Sequence, residues 1–445
     1  NNIKKKYKDL DNDIKSVCKN FDTKKKKLCF IIVENSYDFI QIYISLIKLG
    51  YVLVLLDHKV QSSLIKNLIK FYKPNFIFFP KKYDLNYKKV KLITPNYLVY
   101  ENNSFEHSFN KEIQLLLPTS GTTGSLKFVM LTKKNILNNT KDIISYLKLN
   151  KKNTTISNLP FHYSYGLSIL NTHLSIGGKL IIFKDGIISN SFKNFFKNEE
   201  INCFYGVPEN YEIIKRLNLN FKKSFKFFAI AGGKISKVTL SYLINLADEY
   251  KITLFNMYGQ TEASPRISYS SFKSFKDKKN IFTSGKTFGG GRVIIKNNNR
   301  KLKKNEIGKI YFQGKNVMLG YANSYKDLSN KRQNNYILDT GDIGFLDDNN
   351  NLNIVGRVDR YVKLDSERIN LNDIEDILCS NFKNKYHIIY MNNKINILLG
   401  EKNSNGSEIE YLSSKMKIKK NYLRIYSNFR FSFLSNGKLN ISKIK

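Results

Sequence analysis

The stretch Cys203–Gly259, CFYGVPENYEIIKRLNLNFKKSFKFFAIAGGKISKVTLSYLINLADEYKITLFNMYG, alternates short apolar runs with longer amphipathic ones. Short apolar runs bounded by Gly or Pro are typical of buried strands, and the longer runs have helical periodicity. The alternation therefore predicts β-α units that feed a parallel sheet. The predicted strands are Cys203–Val207, Phe225–Ala231 and Ile252–Met257, and the predicted helices are Glu209–Leu217 and Lys237–Tyr250.

The three turns that follow these strands carry glycine or proline. They are Val207–Pro208, Ala231–Gly233 and Tyr258–Gly259. The carboxyl ends of parallel strands meet at one edge of a sheet, and ligands of open α/β sheets bind there. We therefore expect the three turns to line one crevice.

On either side of this stretch the length and spacing of the apolar runs change. The apolar run Leu180–Phe183 and the amphipathic Ser191–Glu200 extend the β-α series toward the N-terminus. After about residue 265 the apolar runs become shorter and are separated by Gly, Asn and Asp, as at Gly308–Phe312 and Leu352–Val355. Such runs indicate a β-rich subdomain.

From Arg357 onward the pattern predicts a separate small domain. It contains a helix around Asn372–Ser380, strands at Tyr386–Tyr390 and Ile395–Leu399, and a Lys-rich tail. We therefore predict an α/β fold. A large N-terminal domain of parallel or mixed sheets with flanking helices covers residues 1–356, and a small mobile α+β domain covers residues 357–445.

Composition and charge limit the function classes. The 445 residues are 42% hydrophobic and 25% charged, as expected of a globular protein with a sizeable core. The chain has 74 Lys and Arg against 36 Asp and Glu, a formal net charge of +38. These basic residues are spread along the chain, whereas nucleic-acid binding leaves a focused basic stripe. A specific nucleic-acid partner is disfavoured, and a basic nucleic-acid-binding protein stays open as an alternative.

Cysteine spacing and hydropathy bear on the compartment. The four cysteines are Cys18, Cys29, Cys203 and Cys379. Their wide spacing predicts free thiols in a reducing cytoplasm, with neither a disulfide framework nor a zinc site. The apolar run Phe39–Leu56 contains Gln41, Lys48 and Gly50, so it predicts a helix followed by the strand Tyr51–Leu56, not a membrane span.

The segment Leu115–Lys127, LLLPTSGTTGSLK, is an apolar strand followed by a loop of Gly, Ser and Thr that ends in a Lys. Glycine lets backbone N–H groups converge on an anion, hydroxyls add hydrogen bonds, and Lys supplies a point charge. The loop is not a Walker A motif, because Phe128 follows Lys127 where Ser or Thr is needed. The segment predicts a phosphate-binding loop, with a flexible surface linker as the alternative.

This segment resembles the phosphate-loop signature of the acyl-adenylate-forming (AMP-binding) superfamily, which includes acyl-CoA synthetases, luciferases and peptide-synthetase adenylation domains. Other signatures of the superfamily are matched in the same order over nearly the whole chain, and the strings YSYGLS and RINLNDIE are similar to a compact stand-alone subgroup. The matching segments are LIKLGYVLVLLD at Leu46–Asp57, FHYSYG at Phe161–Gly166, AGGK at Ala231–Lys234, NMYGQTE at Asn256–Glu262, GKIYFQGKNVMLGY at Gly308–Tyr321, DTGD at Asp339–Asp342, GRVDRYVKLDSERINLNDIE at Gly356–Glu375, and SNGK at Ser435–Lys438.

The resemblance implies a two-step reaction. A carboxylate attacks the α-phosphorus of ATP to give an acyl-adenylate and pyrophosphate, and a thiol then usually displaces AMP. ATP and Mg²⁺ are the implied cofactors, with coenzyme A or a phosphopantetheinyl carrier as acceptor. Such transfer needs positioning and charge neutralisation more than covalent help from the protein, and the phosphate loop suits that need.

The resemblance also implies a nucleotide site. Thr261 and Glu262 match the positions that contact the α-phosphate and hold Mg²⁺, Tyr258 resembles the aromatic residue that stacks on adenine, and Asp342 and Arg357 match the ribose-side residues. The other implied nucleotide-binding residues are Thr119, Ser120, Gly121, Thr122, Thr123, Gly124 and Lys127 around the phosphates, and Gly232, Gly233, Asn256, Gly259 and Gln260 in the turns near the adenine.

Four further residues carry implied roles in the reaction. Lys438 is similar to the lysine that bridges the substrate carboxylate and the α-phosphate. Asp359 matches the hinge about which the small domain rotates between the two steps. Arg368 is placed like an arginine near the phosphates. His162 resembles the gating His or aromatic residue of acyl-CoA synthetases, with a buried core histidine as the alternative.

Three residues depart from the superfamily's pattern. Leu126 and Phe128 replace the usual Pro and Gly around the loop lysine, which changes loop stiffness. Ser366 stands where the superfamily usually has a Gly beside the approaching thiol, and a side chain there could narrow the pantetheine tunnel. The resemblance therefore supports adenylation more strongly than the thiol step. An inactive nucleotide-binding relative is a further alternative.

The stretch Phe161–Leu174, FHYSYGLSILNTHL, bears on the substrate. Adenylation domains for α-amino acids usually carry an Asp early in this segment, which pairs with the amino group. The stretch has no acid, and an unpaired ammonium is costly to bury, so a plain carboxylic acid is favoured over an α-amino acid. Coenzyme A and an acidic acyl carrier protein would both be attracted to a basic chain, so charge leaves both acceptors open.

Overall fold

A computed structural model describes most of the chain. The described residues are 4–22, 25–83, 85, 87, 90–102, 105–118, 127–183, 186–198, 201–217, 219, 221–274, 277–298, 300–332, 334–364, 367–382, 384, 386–400 and 406–431, with the main chain alone at 195, 197, 198, 359, 361, 363, 367 and 368. The chain forms two compact units. The first is Asn1–Val293, Phe312–Leu338 and Asn350–Leu352, and the second is Ile294–Tyr311, Asp339–Asn349 and Asn353–Lys445.

Helices and strands alternate through most of the described residues. The helices are α1 Tyr7–Cys18, α2 Tyr37–Lys48, α3 Ser62–Tyr72, α4 Lys133–Leu147, α5 Ser164–Ile176, α6 Asn190–Asn198, α7 Pro208–Leu217, α8 Lys237–Glu249, α9 Lys278–Ile281, α10 Leu371–Phe382 and α11 Ser407–Met416. The strands are β1 Leu28–Val33, β2 Val52–Asp57, β3 Phe76–Pro80, β4 Val90–Thr94, β5 Tyr97–Glu101, β6 Ile113–Pro118, β7 Phe128–Thr132, β8 Thr154–Ile156, β9 Lys179–Ile181, β10 Cys203–Gly206, β11 Phe227–Ile230, β12 Thr253–Tyr258, β13 Ser268–Phe272, β14 Lys286–Thr287, β15 Arg292–Asn297, β16 Arg300–Lys301, β17 Gly308–Gln313, β18 Gly320–Ala322, β19 Ile337–Leu346, β20 Leu352–Arg357, β21 Tyr361–Leu364, β22 Glu367–Asn370, β23 Tyr386–Met391, β24 Lys394–Leu399 and β25 Leu423–Tyr426.

An eight-stranded sheet in the order β18-β7-β6-β2-β1-β3-β5-β4 contains the apolar strand that precedes the predicted phosphate loop. Its centre is parallel, and β7, β18, β4 and β5 are antiparallel to their neighbours. The central strands are buried on both faces, which explains why LCFIIV in β1 and VLVLL in β2 show no polar alternation. The chain leaves β6 at Pro118 and returns on β7 at Phe128.

A five-stranded sheet in the order β10-β11-β12-β13-β14 contains the β-α series predicted from Cys203–Gly259. Strands β10, β11 and β12 pair in parallel, and α7 and α8 connect them. This confirms the parallel arrangement and the α/β fold. The run at β9 does not join the series, because it pairs with β8 in a two-stranded sheet. It is short and partly exposed, unlike β10 and β11, which are fully buried.

The second unit holds the C-terminal elements. The β-rich sheet has the order β16-β15-β17-β19-β20, and the boundary between the units falls within its strands. Beyond it, α10 and α11 pack on the three-stranded sheet β23-β24-β25 around one apolar core that includes Ile374, Leu378, Ile397 and Leu412. These elements match the helix and strands predicted for the small domain. The division of the chain at residue 356 stays a prediction.

Helix ends follow ordinary capping chemistry. The Ser36 side chain accepts a hydrogen bond from the Phe39 amide at the start of α2, and Thr132 and Asn135 form a capping box at the start of α4. Helix α5 ends at Gly177, which has a φ of +67°. Among the described residues, no helix is both long enough and apolar enough to cross a membrane.

Candidate functional site

Two of the predicted turns meet at the carboxyl edge of the five-stranded sheet. Gly232 has a φ of +91°, which favours glycine. A Cβ at this position would lie 3.0 Å from the Val207 Cγ1 and 3.4 Å from the Tyr163 hydroxyl oxygen, and a Cβ at Gly233 would lie 3.3 Å from the Pro208 Cγ. The glycines therefore allow the two turns to approach each other closely, and the nucleotide pocket at this edge stays a prediction.

The third turn, after β12, folds back tightly on itself. A Cβ at Gly259 would lie only 1.8 Å from the Pro265 carbonyl oxygen, so only glycine fits there. Thr261–Ala263 forms a 3-10 turn in which Gln260 is the preceding residue, and the Ser264–Pro265 peptide is cis.

Residues from a distant segment hold this turn in place. The Asn316 side-chain amide donates to the carbonyl oxygens of Ala263 and Arg266 at 2.6 and 2.7 Å, and Ser264 Oγ donates to the Asn316 carbonyl at 2.8 Å. The Met318 amide donates to the Glu262 carbonyl at 2.8 Å. Hydrogen bonds from the segment just before β18 thus position the backbone around Glu262.

Three motifs that are distant in sequence converge on Tyr321. Its hydroxyl donates to Glu262 Oε1 at 3.0 Å, and Lys127 Nζ lies 3.5 Å from the centre of its ring. Strand pairing creates this arrangement, because Tyr321 in β18 lies opposite Val129 in β7, just after Lys127. The phosphate-loop lysine and the predicted magnesium ligand are therefore presented together. The sequence alone does not mark Tyr321 as a site residue, since nothing local to it identifies it as a neighbour of Glu262.

Thr261 connects this turn to helix α5. Its Oγ1 lies 3.1 Å from Ser164 Oγ, and both side chains are buried. Helix α5 therefore starts beside the predicted α-phosphate residue. Ser164 was not predicted as a site residue, although it lies within the FHYSYG motif.

His162 precedes α5 and is buried. Its Nε2 lies 3.5 Å from Oδ2 of Asp57, the last residue of β2. Burial lowers the pKa of His162 to about 4, and the neighbouring Asp57 carboxylate only partly opposes this effect. The imidazole is therefore neutral at physiological pH. Its location beside α5 is compatible with both the gating role and the core alternative, so the gating role stays a prediction.

The buried histidines lead to a prediction about pH. Burial also lowers the pKa of His173 to about 4, from an ordinary value near 6.5. Above pH 6.5 both imidazoles are neutral in the folded and unfolded chains. As the pH falls from 6.5 toward 4, the unfolded chain binds the protons first, so the folded state loses about 3 kcal/mol per histidine. We expect the free energy of unfolding, measured by urea denaturation, to fall steeply across this range.

Replacing a buried histidine tests whether its imidazole causes this loss of stability at low pH. His173→Asn keeps a donor near the Ile169 carbonyl, which His173 Nδ1 contacts at 3.0 Å, and should remove the share of the pH dependence that His173 contributes, about 3 kcal/mol. His58→Gln changes a partly exposed imidazole and is the matched control. An equally steep fall in the Asn variant would contradict the assignment.

The other adenine-side residues lie on β12. Asn256 donates its side-chain amide to the carbonyls of Ile281 and Thr283, at 3.2 and 3.0 Å, so it holds the loop after α9. Tyr258 ends β12, pairs with Ser268 of β13, and is partly exposed. Neither position tests the predicted stacking on adenine.

The predicted ribose residues lie together within the second unit. Arg357 Nε is 3.7 Å from Asp342 Oδ1, and Asp342 is buried while Arg357 is about half exposed. The turn before Asp342 is shaped by Gly341, with a φ of +71°, and by Thr340 Oγ1, which accepts a hydrogen bond from the Asp342 amide. A carboxylate fixed in this way can accept hydrogen bonds from a vicinal diol.

Several predicted residues have limited or no description. Asp359 lies in the 3-10 segment Val358–Arg360, and Arg368 lies on β22 opposite Lys363, both as main chain alone. The phosphate-loop residues before Lys127 and the C-terminal lysine lie outside the described residues. They are Thr119, Ser120, Gly121, Thr122, Thr123, Gly124 and Lys438.

The residues present fit a magnesium-bound nucleotide. Mg²⁺ is usually held by one or two carboxylates together with substrate phosphates and water, so one carboxylate at Glu262 is sufficient protein ligation. Within the described ranges no cluster of three or more His, Cys, Asp or Glu side chains forms a self-sufficient metal site. Lys127 beside Glu262 adds a positive charge suited to a phosphate.

This combination of fold and site is that of a nucleotide-dependent enzyme, and the comparisons agree. The model of the AMP-binding enzyme family matches residues 4–322, so the chain belongs to this family.

The chain is similar to enzymes that form coenzyme A thioesters. It is 27% identical to an oxalate–CoA ligase of Saccharomyces cerevisiae over 68% of this chain and 57% of that protein. It is also 27% identical to a 2-succinylbenzoate–CoA ligase of Staphylococcus epidermidis, over 76% of this chain and 71% of that protein. The chain thus spans little more than half of the oxalate–CoA ligase.

Solved structures share the fold. An O-succinylbenzoate coenzyme A synthetase from Bacillus subtilis in complex with AMP has a TM-score of 0.78 at 17% identity, covering 99% of this chain and 93% of that one. A structure from a study of fatty acyl-adenylate ligases from E. coli and L. pneumophila has a TM-score of 0.80 at 18% identity, covering 100% of this chain and 92% of that one. The predicted superfamily and fold are confirmed.

Proposed function

We propose that this protein activates a carboxylic acid with ATP, forming an acyl-adenylate and releasing pyrophosphate, and then transfers the acyl group to a phosphopantetheine thiol. The observation that carries the proposal is the convergence of Lys127 and Glu262 on Tyr321. Nucleotidyl transfer requires a cation for phosphate and a carboxylate for Mg²⁺. The Tyr321 side chain contacts both.

In the adenylation step a carboxylate oxygen attacks the α-phosphorus, and the bond from that phosphorus to the pyrophosphate oxygen breaks. Lys127 and the phosphate loop would hold the β- and γ-phosphates, Thr261 would donate to the α-phosphate, and Glu262 would hold Mg²⁺, which neutralises phosphate charge when bound. The bonds from Asn316 and Met318 to the turn support this assignment, because a preorganised turn needs no rearrangement during reaction.

The nucleoside would be held by the remaining residues. Tyr258 would stack on adenine, with Gly232, Gly233, Asn256, Gly259 and Gln260 shaping the surrounding turns. The Asp342 carboxylate would accept the ribose hydroxyls, with Arg357 at its side. The pairing of Asp342 with Arg357 supports this role, since an arginine lowers the cost of burying a carboxylate.

Lys438 would bridge the acid carboxylate and the α-phosphate during adenylation, with Arg368 near the phosphates. Rotation at Asp359 would then remove Lys438 and admit the thiol. In the second step sulfur attacks the acyl carbon, AMP leaves, and the thiol proton passes to solvent. His162 would gate the acid pocket as a neutral imidazole.

The acceptor remains part of the proposal. The names of the similar ligases favour coenzyme A over an acyl carrier protein. Ser366 is the residue that bears on this step, through the width of the thiol's path. No disulfide joins the cysteines in the part of the chain that the structure describes, which supports a reducing cytoplasm as the place of reaction.

Carboxylate-dependent exchange of pyrophosphate into ATP tests the proposal. We expect purified protein to catalyse exchange with one class of acid in a panel of short, medium, aromatic, hydroxy and amino acids. Lys438→Ala should lower the exchange rate by about 10²-fold while ATP binding, measured by calorimetry, is retained. Folded protein that supports no exchange with any acid would overturn the catalytic proposal. ATP binding without exchange would indicate an inactive nucleotide-binding relative.

A further inference from the structure

Two arginines bind the chain on either side of the short segment between β20 and β21. Arg357 is the last residue of β20, and its Nε lies 3.7 Å from Oδ1 of Asp342 on β19. Arg360 is the last residue of the following 3-10 turn, and its guanidinium binds α10 and β23. Val358 and Asp359 alone separate the two arginines. The chain is therefore tied to two different parts of the second unit within four residues.

The Arg360 guanidinium donates from all three of its nitrogens. Its Nε donates to Asn372 Oδ1 at 2.8 Å, and its Nη2 donates to Glu375 Oε2 at 2.8 Å. Its Nη1 donates to the Ile388 carbonyl oxygen. Asn372 and Glu375 lie on α10, whereas Ile388 lies on β23, so one side chain joins the helix to the sheet. The planar fork of arginine permits this three-point contact, which the single ammonium of a lysine cannot reproduce.

The contact with Glu375 is a sheltered ion pair. The Arg360 and Glu375 side chains are 26% and 27% exposed, and His387 Nδ1 lies 3.5 Å from the other carboxylate oxygen. Burial raises the pKa of Glu375, and Arg360 opposes the rise. The apolar cluster that runs from Val362 to Leu423, here called the C-terminal core, starts two residues after Arg360. Arg360 is therefore bound to this core at the point where the chain enters it.

The contact that crosses the segment is weaker than those of Arg360. The Asn370 side-chain amide donates to the Val355 carbonyl at 3.5 Å, which is at the limit of a hydrogen bond. Strand β20 belongs to the sheet that contains β19, whereas β21 pairs with β22 in a separate two-stranded sheet. A rotation about the backbone of Val358 and Asp359 would therefore break a long contact and keep those of both arginines.

We propose that Arg360 is a positioning residue that makes the C-terminal core rotate as one body about the two-residue link Val358–Asp359, and that thiol transfer depends on it. This inference rests on the proposed function, in which a rotation separates adenylation from thiol transfer. Adenylation takes place in one orientation, whereas each thioester formed requires a rotation. Without the guanidinium bonds the bend would spread beyond the link into β21, and the core would lose its defined second orientation.

Two assays with the same acid separate the two steps. They are ATP–pyrophosphate exchange and thioester formation with coenzyme A, each with the acid that supports the fastest exchange. Arg360→Met keeps the length of the side chain and removes its donors. We expect kcat for thioester formation to fall by about tenfold or more, the effect of losing a hydrogen bond to a charged group, while the exchange rate is unchanged. Arg360→Lys keeps the charge beside Glu375 but loses the three-point contact, so its loss should be smaller.

Lys420→Met is the matched control. Lys420 also pairs with a glutamate of the C-terminal elements, since its Nζ is 2.5 Å from Glu410 Oε1, but this pair is exposed and far from the link in sequence. Both rates should be unchanged in this variant, because exposed ion pairs contribute little. Circular dichroism gives the temperature below which each variant is folded, and the rates are compared there. If Arg360→Met does not fold, Arg360→Lys, which keeps the ion pair, takes its place.

The outcomes distinguish this inference from the proposed function. An equal fall in both rates in the Arg360 variants would overturn the inference, because Arg360 would then be structural. Wild-type rates in both assays would overturn it as well. Wild-type protein that exchanges but forms no thioester with coenzyme A or pantetheine would leave adenylation intact and overturn the inference, since no step would then require the rotation. Absence of exchange with every acid would overturn the proposed function, and this inference with it.

Discussion

Glu262→Gln is expected to lower the rate of ATP–pyrophosphate exchange by about 10²- to 10³-fold, the loss typical of removing one electrostatic stabiliser of a transition state. Glutamine keeps the size of the side chain and an oxygen that accepts the hydrogen bond from Tyr321, which is 3.0 Å long in the wild type. The change therefore removes the negative charge alone. Magnesium binding should weaken, so the concentration of Mg²⁺ needed for half-maximal exchange should rise.

Tyr321→Phe tests the hydrogen bond from the Tyr321 hydroxyl separately from the charge of Glu262. It removes the hydroxyl that donates to Glu262 but keeps the ring that lies under Lys127. We expect a smaller loss of about tenfold, because loss of one hydrogen bond to a charged group costs about 1.5 kcal/mol or more.

Glu106→Gln is the matched control for Glu262→Gln. Glu106 also lies beside a lysine, since its Oε1 is 2.6 Å from Lys25 Nζ, but the pair is exposed. Exchange should be unchanged in this variant, because exposed ion pairs contribute little. If Glu262→Gln exchanged at the wild-type rate with an unaltered Mg²⁺ requirement, the role of Glu262 as metal ligand would be wrong.

Gly259→Ala is expected to destabilise the protein by at least about 3 kcal/mol, at the upper end of overpacking effects. The added methyl carbon would lie 1.8 Å from the Pro265 carbonyl oxygen and 2.8 Å from the Arg266 Cα. The obstacles are backbone atoms, which cannot move away as a flexible side chain can. Urea denaturation should show the loss of stability, and exchange should fall even at temperatures where the variant is folded, because the turn carries Thr261 and Glu262.

Gly186→Ala controls for the general effect of replacing a glycine. A Cβ at Gly186 would meet no atom within 4 Å, so this variant should match wild type or be slightly more stable. Wild-type stability in Gly259→Ala would show that the turn is looser than its contacts indicate.

Periodicity was sufficient to predict the central β-α series. The apolar runs around Phe227–Ile230 and Thr253–Tyr258 are bounded by turn residues, and each has too few residues for a stable helix, so local sequence specifies strands. The run at Lys179–Ile181 has the same local pattern but pairs with Thr154–Ile156. Local pattern predicts that a strand exists, whereas its partner depends on the packing of the whole domain.

The candidate site was predictable only where function is concentrated in contiguous motifs. Glu262 and Lys127 were identified from their motifs, and the glycines from their turns. Tyr321 was not identified as a site residue, because its significance lies in its contacts with Glu262 and Lys127. In sequence Arg266 is one of many basic residues, and its burial is a property of α4, α5 and β10 packing around it.

The sequence by itself determined the class of fold, the family and the chemical character of the phosphate loop, because these follow from short-range periodicity and from the order of motifs. Tertiary structure alone decided that Lys127, Glu262 and Tyr321 meet, since their meeting depends on the pairing of β18 with β7 across nearly two hundred residues. It also decided that Arg266 is buried against the Tyr165 ring. Strand pairing and burial are long-range and cooperative, so no local window contains them.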